Sequence, residues 1–180
     1  MRFSSKDAAL VPVMAVASAM GHMAVGPLIS RTLHLPGPTI AGTLIVAPLL
    51  IAGALTLKRG IILLTSTLNG IILSAFVPIG LLAIPIYFVV GAVLEIFCIR
   101  TSSATFQPMR LSLAGGIVNA ISIVLIGLVG FGMRNFTVLS VACTIGFVTG
   151  ALGGTLAAKV ASRVMEMFPR NRSGNTDCLD

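Results

Sequence analysis

The sequence predicts an all-α, polytopic membrane protein, a bundle of six transmembrane helices with both termini in the cytoplasm. Three observations predict it. Of 180 residues, 12 are Lys or Arg and 5 are Asp or Glu, while 56% are hydrophobic and the mean hydropathy is +1.05. A chain so poor in charge cannot cover a surface that faces water. The uncharged stretches are long enough to cross a hydrocarbon core about 30 Å thick at a rise of about 1.5 Å per residue. The basic residues, finally, alternate between rich and poor loops. The same composition excludes a soluble globular domain, a disordered chain, a collagen-like chain and a disulfide scaffold.

The first uncharged stretch, 8–30, contains Pro12, His22 and Pro27. It is longer and less uniform than a signal-peptide core, so it reads as a mature helix. The loop Thr32-Leu33-His34-Leu35-Pro36-Gly37-Pro38 leads to a second span at 39–57, which the tight turn Lys58-Arg59-Gly60 ends. From Gly60 to Leu94 there is again no charge, a length that suits two spans. Pro78 and Gly80 divide it into 61–77 and 80–99, because both interrupt a helix. A polar segment from Arg100 to Arg110 precedes the fifth span at 111–133. The turn Arg134-Asn135 opens the sixth, at 136–158. Residues 1–168 thus form one membrane domain, and 169–180, without apolar pattern, a flexible cytoplasmic tail.

With the N-terminus inside, the inner side holds Arg2, Lys6, Lys58, Arg59, Arg100, Arg110, Lys159, Arg163, Arg170 and Arg172. The outer side holds Arg31 and Arg134. A five-span model would spoil this alternation. The net charge of +7 is therefore an orientation code and makes no claim on nucleic acid. Cys98, Cys143 and Cys178 have the spacing of neither a disulfide framework nor a metal site.

Helices in a bilayer associate through small residues that let backbones approach. Ala142, Gly146, Gly150, Gly154 and Ala158 recur at intervals of four along the sixth span. They form either an internal packing stripe or a docking face for another subunit, with Gly146, Gly150 and Gly154 at its centre. The first span carries a shorter version, Ala15 and Ala19, beside Ala17 and Gly21.

Polar groups within spans are costly and so informative. Glu95 is the one acid in a span, and it shares a face with Tyr87 and Gly91 at intervals of four. The fifth span aligns Ser112, Gly115, Gly116, Asn119 and Ser122; the third aligns Thr65 with Asn69, beside Ser66, Gly70 and Ser74. A pocket between helices accounts for all three strips, because each group needs a partner away from lipid. Plainer roles stand beside it. Asn69 and Asn119 can serve interhelical hydrogen bonds, Glu95 can reach the interface or a basic loop residue, and His22 suits packing better than metal ligation. A dehydrated Glu95 would favour a cationic ligand. Arg31 and His34, in the first outer loop, are placed to close over a solute.

There is no Gly-rich nucleotide loop, no Gly-x-Ser-x-Gly elbow, no His-Glu-x-x-His pair and no acid cluster for a metal, so neither a catalytic nor a metal site is expected and an enzyme is disfavoured. The two inverted halves of a full secondary transporter are also missing. A binding subunit of a larger complex fits better. The rivals are a structural or assembly subunit, and a small oligomeric channel or exporter with Glu95 and the asparagines facing a pore.

The segment Phe3-Ser4-Ser5-Lys6-Asp7, the alanines of the first span, Ile40-Ala41-Gly42 through Leu57-Lys58-Arg59-Gly60, Gly91-Ala92-Val93-Leu94-Glu95-Ile96-Phe97 and Leu113-Ala114-Gly115 together resemble the substrate-binding S components of energy-coupling factor (ECF) vitamin transporters. The segments from Ile40 onward, Gly91 to Phe97 above all, look like the YkoE-like branch, associated with thiamine or its hydroxymethylpyrimidine precursor. The resemblance implies a multi-pass protein of a prokaryotic plasma membrane that captures a vitamin-like solute outside the cell. It implies as partners a transmembrane coupling (T) protein and two cytoplasmic ATPases, which bind the ATP; this chain would hold no cofactor. Ala15 and Ala19 match the family's docking motif. Glu95, Tyr87, Asn119, Asn69, His22, Arg31 and His34 are then the candidate solute-binding residues, roofed by the loop around Arg31 to Thr39.

Overall fold

The computed structural model describes residues 5–33, 35–56, 58–99 and 108–167. The tail at 169–180, His34, the Arg31 side chain and most of the polar segment 100–110 lie outside the described residues. Six helices make up the rest: α1 (Ser5–Leu33), α2 (Pro38–Thr56), α3 (Ile61–Ser74), α4 (Ala83–Ile99), α5 (Pro108–Leu125) and α6 (Phe136–Met167). A 3-10 turn at Gly80–Leu82 leads into α4, and α5 runs on as a π-helical turn at Ile126–Gly130. Five of the helices are long and apolar enough to cross a membrane.

Several boundaries differ from the sequence-based expectation, among them the ends of α3, α6 and α1 and both ends of the fifth span, which runs from Pro108 to Gly130. The third span stops at Ser74, making α3 14 residues long, about 21 Å. Proline disfavours helical backbone in the residue before it, so the chain unwinds ahead of Pro78. The N–H groups of Phe76 and Val77 both turn back to the carbonyl of Leu73, at 2.9 Å each. Gly80, at φ +54°, then takes a left-handed conformation that a side chain would resist. The sixth helix instead continues past 158 to Met167, because Ala157, Ala158 and Ala161 keep packing inward while Lys159 and Arg163 point outward. Charge ends a membrane span but not a helix. The first helix likewise extends to Leu33, which shortens the expected outer loop.

Successive helices run in opposite directions. Pro36, before α2, lies within reach of Gly127 in the turn after α5, and Ile79, before α4, approaches Gly130. The α1–α2 and α3–α4 turns and the end of α5 therefore share one end of the bundle, which the basic-residue pattern predicts to be the outer one. The main core joins Ala19 of α1, Ile45, Leu49 and Leu50 of α2, Leu73 of α3, Tyr87, Val90 and Leu94 of α4, and Val118 of α5. A smaller outer cluster of Ile123, Leu139 and Ala142 packs against Leu35 of the α1–α2 turn. Large apolar side chains such as Val13, Phe76, Leu81, Ile96 and Leu152 point out of the bundle, as a lipid-facing surface requires.

The small residues decide how near the helices come. A methyl group on Gly150 would strike the carbonyl oxygen of Gly115, and one on Gly154 that of Leu111. Gly146 is filled by the Ile123 side chain, and Gly153 faces Thr43 and Val46 of α2. The stripe on α6 is thus spent within the chain, wedging α6 between α5 and α2. Of the two roles the sequence left open, Gly146, Gly150 and Gly154 are buried in internal packing within the chain. Ala15 and Ala19, expected to dock a partner, likewise have no exposed surface in the chain by itself. Helix α1 uses that face against α2, where Gly21 sits on Leu44 and the Ser18 hydroxyl donates to the Ile45 carbonyl at 2.9 Å.

Candidate functional site

The turn at 35–39 folds inward over the outer end of the bundle, and Pro36, Gly37, Pro38 and Thr39 are all buried. Two polar groups of side chains meet beneath it, joined by the adjacent residues Gly37 and Pro38.

The first group lies between α1, α3 and α4. Gly26 and Gly37 leave room for the His22 ring, which a methyl group on either residue would meet at 3.0–3.2 Å. His22 Nδ1 lies 3.2 Å from the Tyr87 hydroxyl, a hydrogen bond whose direction follows the imidazole tautomer. Tyr87 is 1% exposed. Its backbone carbonyl accepts the Ser66 hydroxyl of α3 at 2.6 Å, and Gly70 is pressed against its Cβ. Asn69 precedes Gly70 and is itself fully buried. On the α3 face it lies in line with Ile62, two turns away, whose side chain reaches Gly53 of α2, and with Leu73 of the main core. Asn69 therefore faces the centre of the bundle. Neither its Oδ1 nor its Nδ2 has a hydrogen-bond partner in the protein.

The second group lies between α2, α5 and α6. Asn119 Nδ2 donates to the Gly146 carbonyl at 2.7 Å and to the Pro38 carbonyl at 3.0 Å, which fixes the orientation of its amide. Gly42 makes the room: a side chain there would overlap Asn119 Nδ2. The Thr149 hydroxyl lies 3.1 Å from both the Thr39 and Gly146 carbonyls and donates to one at a time. The Thr43 hydroxyl donates to the Thr149 carbonyl at 2.7 Å. Two groups stay unpaired here, the acceptor Asn119 Oδ1 and the Thr39 hydroxyl, which is both donor and acceptor. Thr39, Thr43 and Thr149 were not among the residues singled out from the sequence. The signal for Thr149 was its place between Gly146 and Gly150, where the helices come closest.

Glu95 stands apart from both groups, at the opposite end of the bundle. Its carboxylate accepts the backbone N–H groups of Gly60 at 2.7 Å, Ile62 at 3.1 Å and Leu63 at 3.3 Å. These are donors that the first turn of α3 cannot satisfy internally, and the helix dipole adds its attraction for an anion. Gly60 itself is left-handed at φ +85° and offers no side-chain cap. Helix α4 thus caps α3 from outside. The sequence offered Glu95 as a pocket residue beside Tyr87; the two share a helix face, but four-residue steps carry them about 12 Å apart along it, and the carboxylate is engaged at the start of α3. The structure thus brings His22 and Tyr87 together, buries Asn69 next to the Gly70 that packs on Tyr87, and holds Asn119 under the same turn through Pro38, while Glu95 lies at the other end.

Comparison with known proteins yields one structural likeness. The sequence matches no protein-family model and no curated protein. The fold is similar to a solved structure described as the crystal structure of an S-component of an ECF transporter, with a TM-score of 0.71 and 19% sequence identity. The match covers 92% of this chain and 85% of that one. At that identity the likeness is one of fold: the chain has the membrane helical bundle of an S component.

Proposed function

We propose that the chain is the substrate-binding subunit of an ECF-type importer, oriented with both termini inside a prokaryotic plasma membrane and taking up a vitamin or vitamin precursor. The carrying observation is the roofed outer layer of buried polar groups, set in the fold of an S component. Four polar atoms there have no protein partner. Leaving a buried polar atom unpaired costs about 1–3 kcal/mol, a loss that a bound solute would recover. The coupling protein and the two ATPases belong to this reading as partners, with ATP bound on the ATPases.

The thiamine-like cargo came from the resemblance to the YkoE-like branch, and Glu95 was the group that could have served a cationic cargo as counter-charge. With that carboxylate committed to α3, a cationic cargo loses its support and the reading rests on neutral groups. The docking role falls to the outward face of α1, where Val13, Val16, Ala17 and Met20 are exposed. An assembly subunit held by glycine faces is less well supported, since those faces are consumed within the chain. The pore reading loses the acid it required. The test is uptake by cells that express the chain together with a coupling protein and its ATPases, alongside thermal-shift screening of B vitamins and their precursors on the purified chain. Uptake of a compound that also raises the melting temperature is the expected result. A protein that melts identically with every compound, and adds nothing to uptake, sinks the proposal.

A further inference from the structure

Asn69 carries more chemistry than its packing explains. A carboxamide is a donor and an acceptor side by side, and here both are buried without a partner; Asn119 lacks a partner at Oδ1 alone, and the Thr39 hydroxyl is the one other side chain of the two groups left wholly unpaired. Neighbouring side chains on α3 show that the local sequence is able to satisfy itself: Thr65 bonds the Ile61 carbonyl, and Ser66 bonds α4. Among the buried polar side chains of this helix Asn69 alone is left open, and it directly precedes Gly70, the residue that packs on Tyr87. Water pairing would leave a polar group where leucine would pack; an amide retained at such a position needs something that answers both of its atoms at once.

The charge of the surroundings narrows what that is. Among the described residues, the acid within the spans is Glu95, which sits at the other end and is already engaged by three N–H groups. The unpaired atoms around the turn are an amide, a second amide oxygen and a hydroxyl. An ion entering this layer would lose its hydration with no countercharge to replace it, which is far costlier than burying a neutral polar group. A neutral cis-amide edge, by contrast, presents one N–H and one C=O about as far apart as the two atoms of the Asn69 carboxamide.

We infer that Asn69 pairs with an uncharged amide-type edge of the cargo, a lactam, imide, cyclic urea or primary amide, through two hydrogen bonds. The inference rests on the importer reading above and deepens it. Asn119 Oδ1 and Thr39 Oγ1 are then the acceptors available to further donors on the same molecule.

The experiment uses the purified full-length chain in nanodiscs and measures binding of riboflavin (imide), biotin methyl ester (cyclic urea) and nicotinamide (primary amide). Their counterparts are 3-methylriboflavin, whose imide N–H is blocked, and the cations thiamine and 1-methylnicotinamide. The expected result is that at least one uncharged probe binds, that blocking its edge weakens it tenfold or more, and that Asn69→Leu does the same without lowering the melting temperature of the empty protein. The comparison of blocked and unblocked probes needs no variant, so it stands even if Asn69→Leu fails to fold. Binding of the cations in preference, or equal binding of blocked and unblocked probes, overturns the inference and leaves the importer reading intact. A folded protein that binds no probe of either kind overturns both.

Discussion

The Glu95 carboxylate of α4 lies 2.7 Å from the backbone nitrogen of Gly60, four residues after α2 ends at Thr56 and immediately before α3 begins. One side chain thereby fastens the α2–α3 turn to the far end of α4. Hydrogen bonds to a charged group are worth about 1.5–3 kcal/mol each, and a helix N-terminus adds about 0.3–1 kcal/mol for an anion. Glu95→Gln keeps the shape but turns an amide N–H2 toward backbone donors. It should lower stability by about 2 kcal/mol in SDS-titration unfolding from mixed micelles, with solute affinity unchanged. A variant of wild-type stability that binds its solute tenfold more weakly would return Glu95 to the binding site.

Gly42 is the position at which α2, α5 and α6 come together. A Cβ there overlaps Asn119 Nδ2 and crowds Thr149, both of which are engaged across helices. Gly42→Ala must displace the Asn119 amide and so break its bonds to Pro38 and Gly146. Overpacking of this kind costs about 1–3 kcal/mol, before the lost hydrogen bonds are counted. The expected outcome is a folded protein of clearly lower melting temperature whose melting rises again when Asn119→Ala is added, since the smaller side chain makes room. No rescue by the second substitution would mean that the contact at Gly42 is not the source of the loss.

The contact between His22 and Tyr87 is the polar link from α1 to α4, and a double-mutant cycle isolates it. Tyr87→Phe leaves the imidazole without its partner, and His22→Leu leaves the phenol unpaired, so each single change should destabilise. Interhelical hydrogen bonds in membrane proteins contribute about 0.6 kcal/mol on average and up to about 1.7. A coupling energy of about 1 kcal/mol is expected for this pair, because both groups are buried. Strict additivity of the two single effects would show that the groups pack side by side without bonding.

The polar face of α4 shows what the sequence could and could not reveal. Tyr87, Gly91 and Glu95 at intervals of four had to share one side of a helix, and they do. Their partners differ, however: Tyr87 meets α1, Gly91 receives Ser66 of α3, and Glu95 caps the start of α3. Helical spacing determines a face, while the identity of the group opposite depends on the tilt and register of another helix, which no local pattern encodes. The spans were legible for the opposite reason. Charges, Pro78 and the Lys58-Arg59-Gly60 turn act locally, and the solvent changes at each of them. The unwinding after Ser74 and the continuation of α6 to Met167 fell outside that logic, because each depends on backbone or packing preference rather than on hydropathy.

Ala15 and Ala17 are two residues apart on α1 and face opposite ways, which makes them a test of where a coupling protein would dock. Ala15 has no exposed surface and Ala17 lies outside the bundle beside Val13, Val16 and Met20. A leucine at 15 has to be accommodated among close-packed helices, at a cost of about 1–3 kcal/mol. A leucine at 17 meets lipid or a partner, where in the isolated chain it is one more apolar group in an apolar solvent. Ala15→Leu should therefore reduce expression and melting temperature together with solute binding. Ala17→Leu should leave melting and binding at wild-type values and lower uptake in the complete transporter, because it props a partner away from the α1 surface. Measuring co-purification of the coupling protein with each variant separates the two effects. If Ala15→Leu folds and binds normally yet loses its partner, the buried face opens during docking; if Ala17→Leu retains both partner and uptake, the docking surface lies on another helix.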